Sequence, residues 1–305
     1  MKVLILGPRV DDRAAIRDFG GVWSYYLSRE LRALGVELVY DKGPATAARY
    51  ATLDLNGVRH AIGLGHWADR ATADAAWVLA ERLPGGVCQI RDRSRVGDPV
   101  MLTFTICDDR RDPHGSRHIG WAADETLISP RQQSEKLCIL IDHPNYGPGA
   151  RVDLSREILD DVAAFVAGRT WRGRWSAIRV RRLVDGGVEY VDLKKPHVPP
   201  FTRQHVPFET ICEEYCATHV FLVTHPESLG LTVLETAYAG ALPVVPEGFI
   251  APQLLSTVRH VTYSGSIPWD QVLAEIDVAA SRKKALRNSW PRVAARVLSY
   301  LEECS

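Results

Sequence analysis

Short apolar runs alternate with segments of helical period along most of the chain. Val3–Leu6 is continuously apolar, the pattern of a strand covered on both faces. Gly20 and Gly21 open a segment with helical spacing through Val22, Tyr25, Tyr26 and Arg29, flanked by Leu27, Leu31 and Leu34. Gly35 stops it, and Val36–Tyr40 predicts the next strand. Strand, glycine loop, helix and strand in that order imply a right-handed parallel crossover. Strands are further predicted near Arg59–Leu64, Val87–Ile90 and Val100–Ile106, with a helix across Asp69–Leu83. Asp108–Arg117 is charged, carries Pro113 and Gly115, and reads as an exposed loop; a strand or turn through Gly120–Ser129 follows.

The theme starts again at Lys136. Leu137–Ile141 is an apolar strand, Asn145–Gly149 a loop, and Leu154–Val166 a helix with Asp153 as its N-cap. Ala177–Val184 and Val188–Leu193 read as strands joined by Asp185-Gly186-Gly187. Helix, strand, helix and strand follow at Pro207–Cys216, His219–Thr224, Leu231–Ala239 and Leu242–Val245. Two helical segments end the chain, Trp269–Ile276 and Ser281–Glu303, the second divided by Pro291 in the first turn of a separate helix. The expectation is an α/β protein of two facing Rossmann-like domains with a cleft between them. Residues 1–132 form the first and 133–286 the second, with a closing helix over 287–305.

Composition changes this picture little. The 305 residues carry 37 basic and 37 acidic side chains, so no overall charge points to nucleic acid or a membrane surface. No apolar run reaches the roughly 18 residues of a membrane span. The stretch Met1–Gly7 is too short for a signal peptide and fits a first strand. Six cysteines in this length make no disulfide framework, and Cys212 and Cys216 have no neighbours to complete a metal site. A cytoplasmic protein with reduced thiols is the expectation. Gly7-Pro8-Arg9 stands where a dinucleotide-binding G-x-G-x-x-G would follow the first strand, which disfavours a nicotinamide dehydrogenase.

The chemistry gathers in Thr224-His225-Pro226-Glu227-Ser228-Leu229-Gly230-Leu231-Thr232-Val233-Leu234-Glu235. One glutamate follows a strand and another stands eight positions on, inside the next helix. Gly230 lets backbone approach a ligand closely, and the first N–H groups of the helix favour an anion. A phosphate at the helix start, with carboxylates accepting hydrogen bonds from hydroxyls, suits a nucleotide-sugar; a surface glutamate at an ordinary helix start is the plainer alternative.

Glu227-x7-Glu235, followed by Thr236-Ala237-Tyr238-Ala239-Gly240-Ala241-Leu242-Pro243-Val244-Val245, resembles the Glu-x7-Glu element of the retaining glycosyltransferases of family 4, which have the GT-B fold. Ser228-Leu229 replaces the usual Gly-Phe. Ser289-Trp290-Pro291-Arg292-Val293-Ala294 is similar to the helix that often closes these enzymes, and Gly20-Gly21 to their first-domain glycine loop. The resemblance implies transfer of a sugar from a nucleotide-sugar, UDP- or GDP-linked, to an acceptor, with retention and with neither a metal nor a tightly bound cofactor. It gives Glu227 the donor sugar hydroxyls, Glu235 the nucleotide ribose, and Ser228, Leu229, Gly230 and Leu231 the sugar and phosphates through backbone N–H groups. Gly20 and Gly21 border the diphosphate. His66 follows a strand end, where contact with the donor sugar and a plain loop histidine fit equally. The family's arginine and lysine after the first strand of the second domain are replaced by Asp142-His143-Pro144-Asn145-Tyr146-Gly147, and Pro246-Glu247-Gly248-Phe249 stands where a Gly-Gly turn is usual. Arg151 and Lys194-Lys195 are the candidates to neutralise the diphosphate, with a solvated strand end the commoner meaning of Lys194-Lys195.

Other residues have two readings. For His225, packing beside the site is favoured over acid–base work. Asp142-His143 fits a strand-end ligand or a structural role equally, and Asp124 and Ser129 fit caps as well as ligands. Trp23 and Trp67 fit packing better than sugar stacking. Arg169–Arg182 has six arginines interleaved with Trp171 and Trp175. A solvated edge is the commoner meaning; a nucleic-acid acceptor, such as modified DNA, is the sharper one. A binding or regulatory protein on a degenerate transferase site is the alternative from another class, and a nucleotide-sugar epimerase is a third.

Overall fold

The structure is a computed structural model that describes residues 1–7, 9–13, 16, 19–64, 73–91, 102–105, 117–132, 135–142, 154–168, 175–184, 187–194, 207–226, 231–250 and 252–303. The chain divides into two units, one made of Met1–Ala122 with Asn288–Ser305 and the other of Ala123–Arg287.

In the first unit, strands β1 (Lys2–Leu6), β2 (Glu37–Asp41), β3 (Val58–Leu64), β4 (Val87–Arg91), β5 (Leu102–Thr105) and β6 (Arg117–His118) form a sheet in the order β2-β1-β3-β4-β5-β6. Every pairing is parallel. The helices are α1 (Phe19–Ala33), α2 (Ala47–Thr52) and α3 (Ala73–Arg82). Leu4 and Leu6 alternate toward one face of the sheet and meet Tyr50 of α2 and Ala75, Ala76 and Leu79 of α3. Gly20 and Gly21 lie in the first turn of α1, not in a loop before it. This corrects the expected glycine loop: residues ahead of the first i−4 hydrogen bond bear little of glycine's entropic penalty, so a helix can begin with them.

The last helix, α10 (Trp290–Glu303), belongs to this unit too. Trp290 stacks on Tyr26 with centroids 5.1 Å apart and meets Trp23 edge-on at 5.0 Å and Trp121 at 5.6 Å. Arg296 donates to the Ile119 carbonyl at 2.9 Å. Trp23 is fully buried in this cluster, as the packing reading of the sequence expects.

The second unit holds β7 (Lys136–Ile141), β8 (Ala177–Val184), β9 (Gly187–Tyr190), β10 (Val220–Leu222), β11 (Leu242–Pro246) and β12 (Val261–Tyr263), ordered β12-β11-β10-β7-β8-β9. Only β9 runs antiparallel among these described strands. Its helices are α4 (Ser155–Gly168), α5 (Phe208–Ala217), α6 (Leu231–Tyr238), α7 (Pro252–Thr257), α8 (Trp269–Glu275) and α9 (Val278–Ala285). Leu137, Ile139 and Ile141 of β7 and Val220 and Leu222 of β10 pack against Ile158, Leu159 and Val162 of α4 and Val272 of α8. The six buried residues named from α4 and β7 follow the helical spacing and the apolar run that predicted these elements. At 120–129 the chain makes a turn in which Asp124 Oδ1 accepts from the Thr126 backbone at 2.8 Å and hydroxyl at 2.6 Å, so Asp124 caps it.

The expected loop over Asp108–Arg117 and the cap Asp153 fall almost wholly outside the described residues. The described helices that the pattern did not predict are the two shortest. Helix α2 buries Tyr50 alone and α7 buries nothing, so neither leaves a periodic stripe to read.

Candidate functional site

In the second sheet the chain leaves β7 toward β8 on one side and later builds outward from β10 through β11 to β12 on the other. The strand order therefore reverses between β7 and β10, and ligands of open α/β sheets bind beyond the carboxyl ends of strands at such a point. Asp142 follows β7 there and Thr224 and His225 follow β10; all three are buried. The Asp142 amide donates to the Leu222 carbonyl at 2.8 Å, and Leu154, just before α4, donates to the Thr224 carbonyl at 2.8 Å. Thr224 Oγ1 is 3.1 Å from His225 Nδ1, while Asp142 Oδ2 lies 3.9 Å from the same nitrogen. The first contact is a hydrogen bond and the second is too long for one. These contacts fasten the two strand ends together, which supports the packing reading of His225.

Glu227, Ser228, Leu229 and Gly230 lie outside the described residues, as do His66, Trp67, Arg151 and Lys195. The described part of the motif resumes at Leu231, the half-buried first residue of α6. Glu235 stands one turn further along that helix. Desolvation pushes its carboxyl up to about 8, opposed by a hydrogen bond from Tyr215 of α5. The residue is half-buried as a whole, while its carboxyl is the desolvated part. Burial, and next the charge of Glu235, hold the Tyr215 hydroxyl well above its ordinary range, which keeps it protonated as a donor. Cys212, on the same helix, is pushed up by burial and behaves as an apolar neighbour. Tyr215 was not a sequence candidate. Its signal is present, since it falls between Cys212 and Cys216 on the buried stripe of α5 and brings a hydroxyl that needs a partner.

The far end of α6 is fixed by a glycine with φ +92° at Gly240. The Gly240 amide bonds the Ala237 carbonyl at 2.9 Å and the Ala241 amide bonds the Thr236 carbonyl at 3.0 Å, a Schellman closure. A Cβ at Gly240 would also press on the Val278 carbonyl of α9. The helix that carries Glu235 therefore has a fixed length and direction.

Lys194 is not brought to this place. Strand β9 is antiparallel, so it carries the chain back toward the amino end of the sheet, two strands out from β7. Lys194 sits in the turn beyond, exposed, with its amide bonded to Asp192 Oδ1 at 3.0 Å. In the first unit the order also reverses, between β1 and β3. The buried Gly21, at the start of α1, lies on the chain that leaves β1. Of the arginine-rich stretch, Arg179 and Arg181 lie over the ring of exposed Tyr190 and Arg182 pairs with Glu189. Arg179 and Arg182 are committed within the β8–β9 hairpin, and Arg181 also pairs with Glu214 of α5. Among the described residues, no group of three or more His, Cys, Asp or Glu is placed to hold a metal, and no helix is long and apolar enough to cross a membrane.

No family model and no curated protein matches the sequence. Solved structures do match its fold. A lipopolysaccharide outer core galactosyltransferase, WaaB, aligns over 99% of this chain and 99% of its own, with a TM-score of 0.59 and 10% identity. Anabaena HepE, solved in complex with UDP and glucose, aligns over 99% and 100%, with a TM-score of 0.56 and 11% identity. A protein described as a UDP-N-acetylglucosamine 2-epimerase from Listeria monocytogenes aligns over 99% and 96%, with a TM-score of 0.55 and 10% identity. The chain therefore has the two-domain α/β fold of the GT-B glycosyltransferases. Identities this low carry the fold alone.

Proposed function

We propose that this protein is a retaining glycosyltransferase that takes a sugar from a UDP- or GDP-sugar and passes it to an acceptor. The observation that carries the reading is Glu235: a desolvated carboxyl, held by Tyr215 in the helix that follows the Glu227 loop, at the switch point of the second sheet. A carboxylate there accepts hydrogen bonds from two ribose hydroxyls, and Tyr215 keeps it aimed. Glu227 takes the hydroxyls of the donor sugar. The backbone N–H groups of Ser228 through Leu231 receive the diphosphate at the start of α6, where the helix has donors without internal partners. Arg151, in the segment after β7, is the remaining candidate to neutralise the diphosphate, and Gly20, Gly21 and His66 serve the donor from the first unit. The catalytic work is positioning and stabilisation of the charge that develops on the departing diphosphate, which then takes the acceptor's proton. That scheme assigns no step to a metal.

The test is a melting-temperature panel of nucleoside diphosphates and nucleotide-sugars. Saturation at 100 times Kd adds about 2.7 kcal/mol to the native state. A shift with one base, followed by turnover of that base's sugar donor, supports the reading. A shift with no turnover on any acceptor favours a binding protein on the same site, turnover on DNA alone favours a nucleic-acid acceptor, and a free epimerised sugar favours epimerase chemistry. No shift with any nucleotide contradicts the proposal.

A further inference from the structure

The first unit has a cavity of its own, about 550 Å³, at the carboxyl end of β2, lined by Arg9, Tyr40, Asp41, Lys42, Gly43 and Arg49. Its size suits a monosaccharide derivative. Four cations stand in and around it: Arg9, Arg32, Lys42 and Arg49. Two carboxylates answer them. Asp11 takes Arg9 at 2.5 Å and Arg32 at 3.5 Å, in the open. Asp41 is buried and already engaged, by Arg49 and by the Gly43 amide at 3.2 Å.

That engagement decides what the cavity can hold. A carboxylate at the end of a second parallel strand ordinarily receives ligand hydroxyls in this kind of sheet. Here Arg49 occupies it, and Gly43 gives the guanidinium its room, since a Cβ at that position would overlap the Arg49 head group. The hydroxyl-binding use is closed, and the Arg49 guanidinium that lines the cavity has its charge matched by Asp41 while it still carries N–H donors. Arg9 and Arg32 rest on the Tyr40 ring, 5.6 and 5.5 Å from its centroid, and Arg32 also donates to the Tyr40 hydroxyl at 2.8 Å. Lys42 is exposed and makes no ion pair among the described residues. An ammonium with no ion pair among the described residues, beside an immobilised guanidinium and an aromatic wall, is suited to a compact anion on a sugar-sized body.

We propose that this cavity binds the anionic group, phosphate or carboxylate, of a sugar-sized ligand, and, resting on the transferase reading above, that this ligand is the acceptor. The experiment is calorimetric titration with inorganic phosphate, glucose 6-phosphate, glucuronate and glucose on the full chain, its Lys42→Ala and Lys42→Glu variants and Arg9→Ala. Both side chains are solvent-exposed, so the variants are expected to fold, and unchanged melting temperatures check this. Glucose 6-phosphate or glucuronate is expected to bind at least tenfold more tightly than glucose, with affinity falling as salt rises. Lys42→Ala is expected to lose roughly tenfold and Lys42→Glu more. Preference for the phosphate or for the uronate names the source of the anion. Binding that is equal for glucose, or unaltered in all three variants, or absent for all four probes, overturns the proposal. Nucleotide binding is measured on the same samples. If it fails while the Lys42-dependent anion still binds, the transferase reading falls and the anion site stands.

Discussion

The two sheets reverse their strand order at comparable places, β1 against β3 and β7 against β10, yet dress their carboxyl ends with opposite chemistry. The first unit presents Arg9, Lys42 and Arg49, with its one buried carboxylate there already neutralised. The second presents Asp142, His225 and Glu235, and the described part of its site offers hydroxyl acceptors and helix N–H groups but no lysine or arginine. The lesson is a division of labour. Parallel sheets supply two strand-end edges, and the side chains placed on each give them different charge. The units also differ in how they are held: the first is closed by aromatic rings from Trp23, Tyr26, Trp121 and Trp290, the second by aliphatic strands and a glycine-terminated helix.

The largest expected effect breaks the first of these. Trp290→Ala removes the ring that three other aromatic residues contact and is expected to cost about 3–5 kcal/mol in denaturant unfolding. A cost below about 1 kcal/mol would mean that the cluster does not close the unit. Next, Gly240→Ala forces an alanine into φ +92° against the Val278 carbonyl and is expected to cost at least about 1–3 kcal/mol, seen as a lowered melting temperature. Nucleotide affinity should fall with it, because α6 carries Glu235. An intact affinity would separate the helix end from the site.

The pH dependence sharpens the comparison. Glu235 has a raised carboxyl, so its contribution to stability is fully present below the ordinary value of 4.5 and is lost as pH rises through about 8. In Glu235→Gln that alkaline loss should vanish, by urea melts from pH 5 to 9. His60 in the first unit moves the other way. Burial lowers it, so its contribution is present above the ordinary value of 6.5 and is lost as pH falls below it. His60→Phe is expected to flatten the acid arm, the smallest effect in this series. An acid arm unchanged in His60→Phe would assign it to other groups.

Most of the parallel architecture is legible in the sequence because buried strands are short and uninterruptedly apolar. Val3–Leu6, Leu137–Ile141 and Leu242–Val245 are found within a residue of β1, β7 and β11. Pro291 likewise marks the last helix to its first turn. Elements that bury one residue or none, such as α2 and α7, leave no such trace. At the site, the Glu-x7-Glu spacing points to the right strand–helix junction, but spacing along one segment cannot report partners from another. Tyr215 beside Glu235 and Arg49 across Asp41 are both tertiary facts. Lys194 illustrates the converse: it follows a strand of the second domain, but reversal of β9 sends it toward the opposite end of the sheet.

The central claim is that Glu235 receives the nucleotide as a carboxylate. Hydroxyls that donate to it favour the ionised form, so binding should draw its proton-binding range down from about 8. The decisive measurement is calorimetric titration, at pH 6.5 and 8.5, of the nucleoside diphosphate identified by the melting panel, into the wild-type protein and Glu235→Gln. The account predicts tighter binding at pH 8.5 in the wild type, by less than about tenfold per pH unit below 8. It also predicts roughly tenfold weaker binding at pH 8.5 in Glu235→Gln, with the pH dependence gone. Equal affinities in the two proteins at both pH values would contradict it.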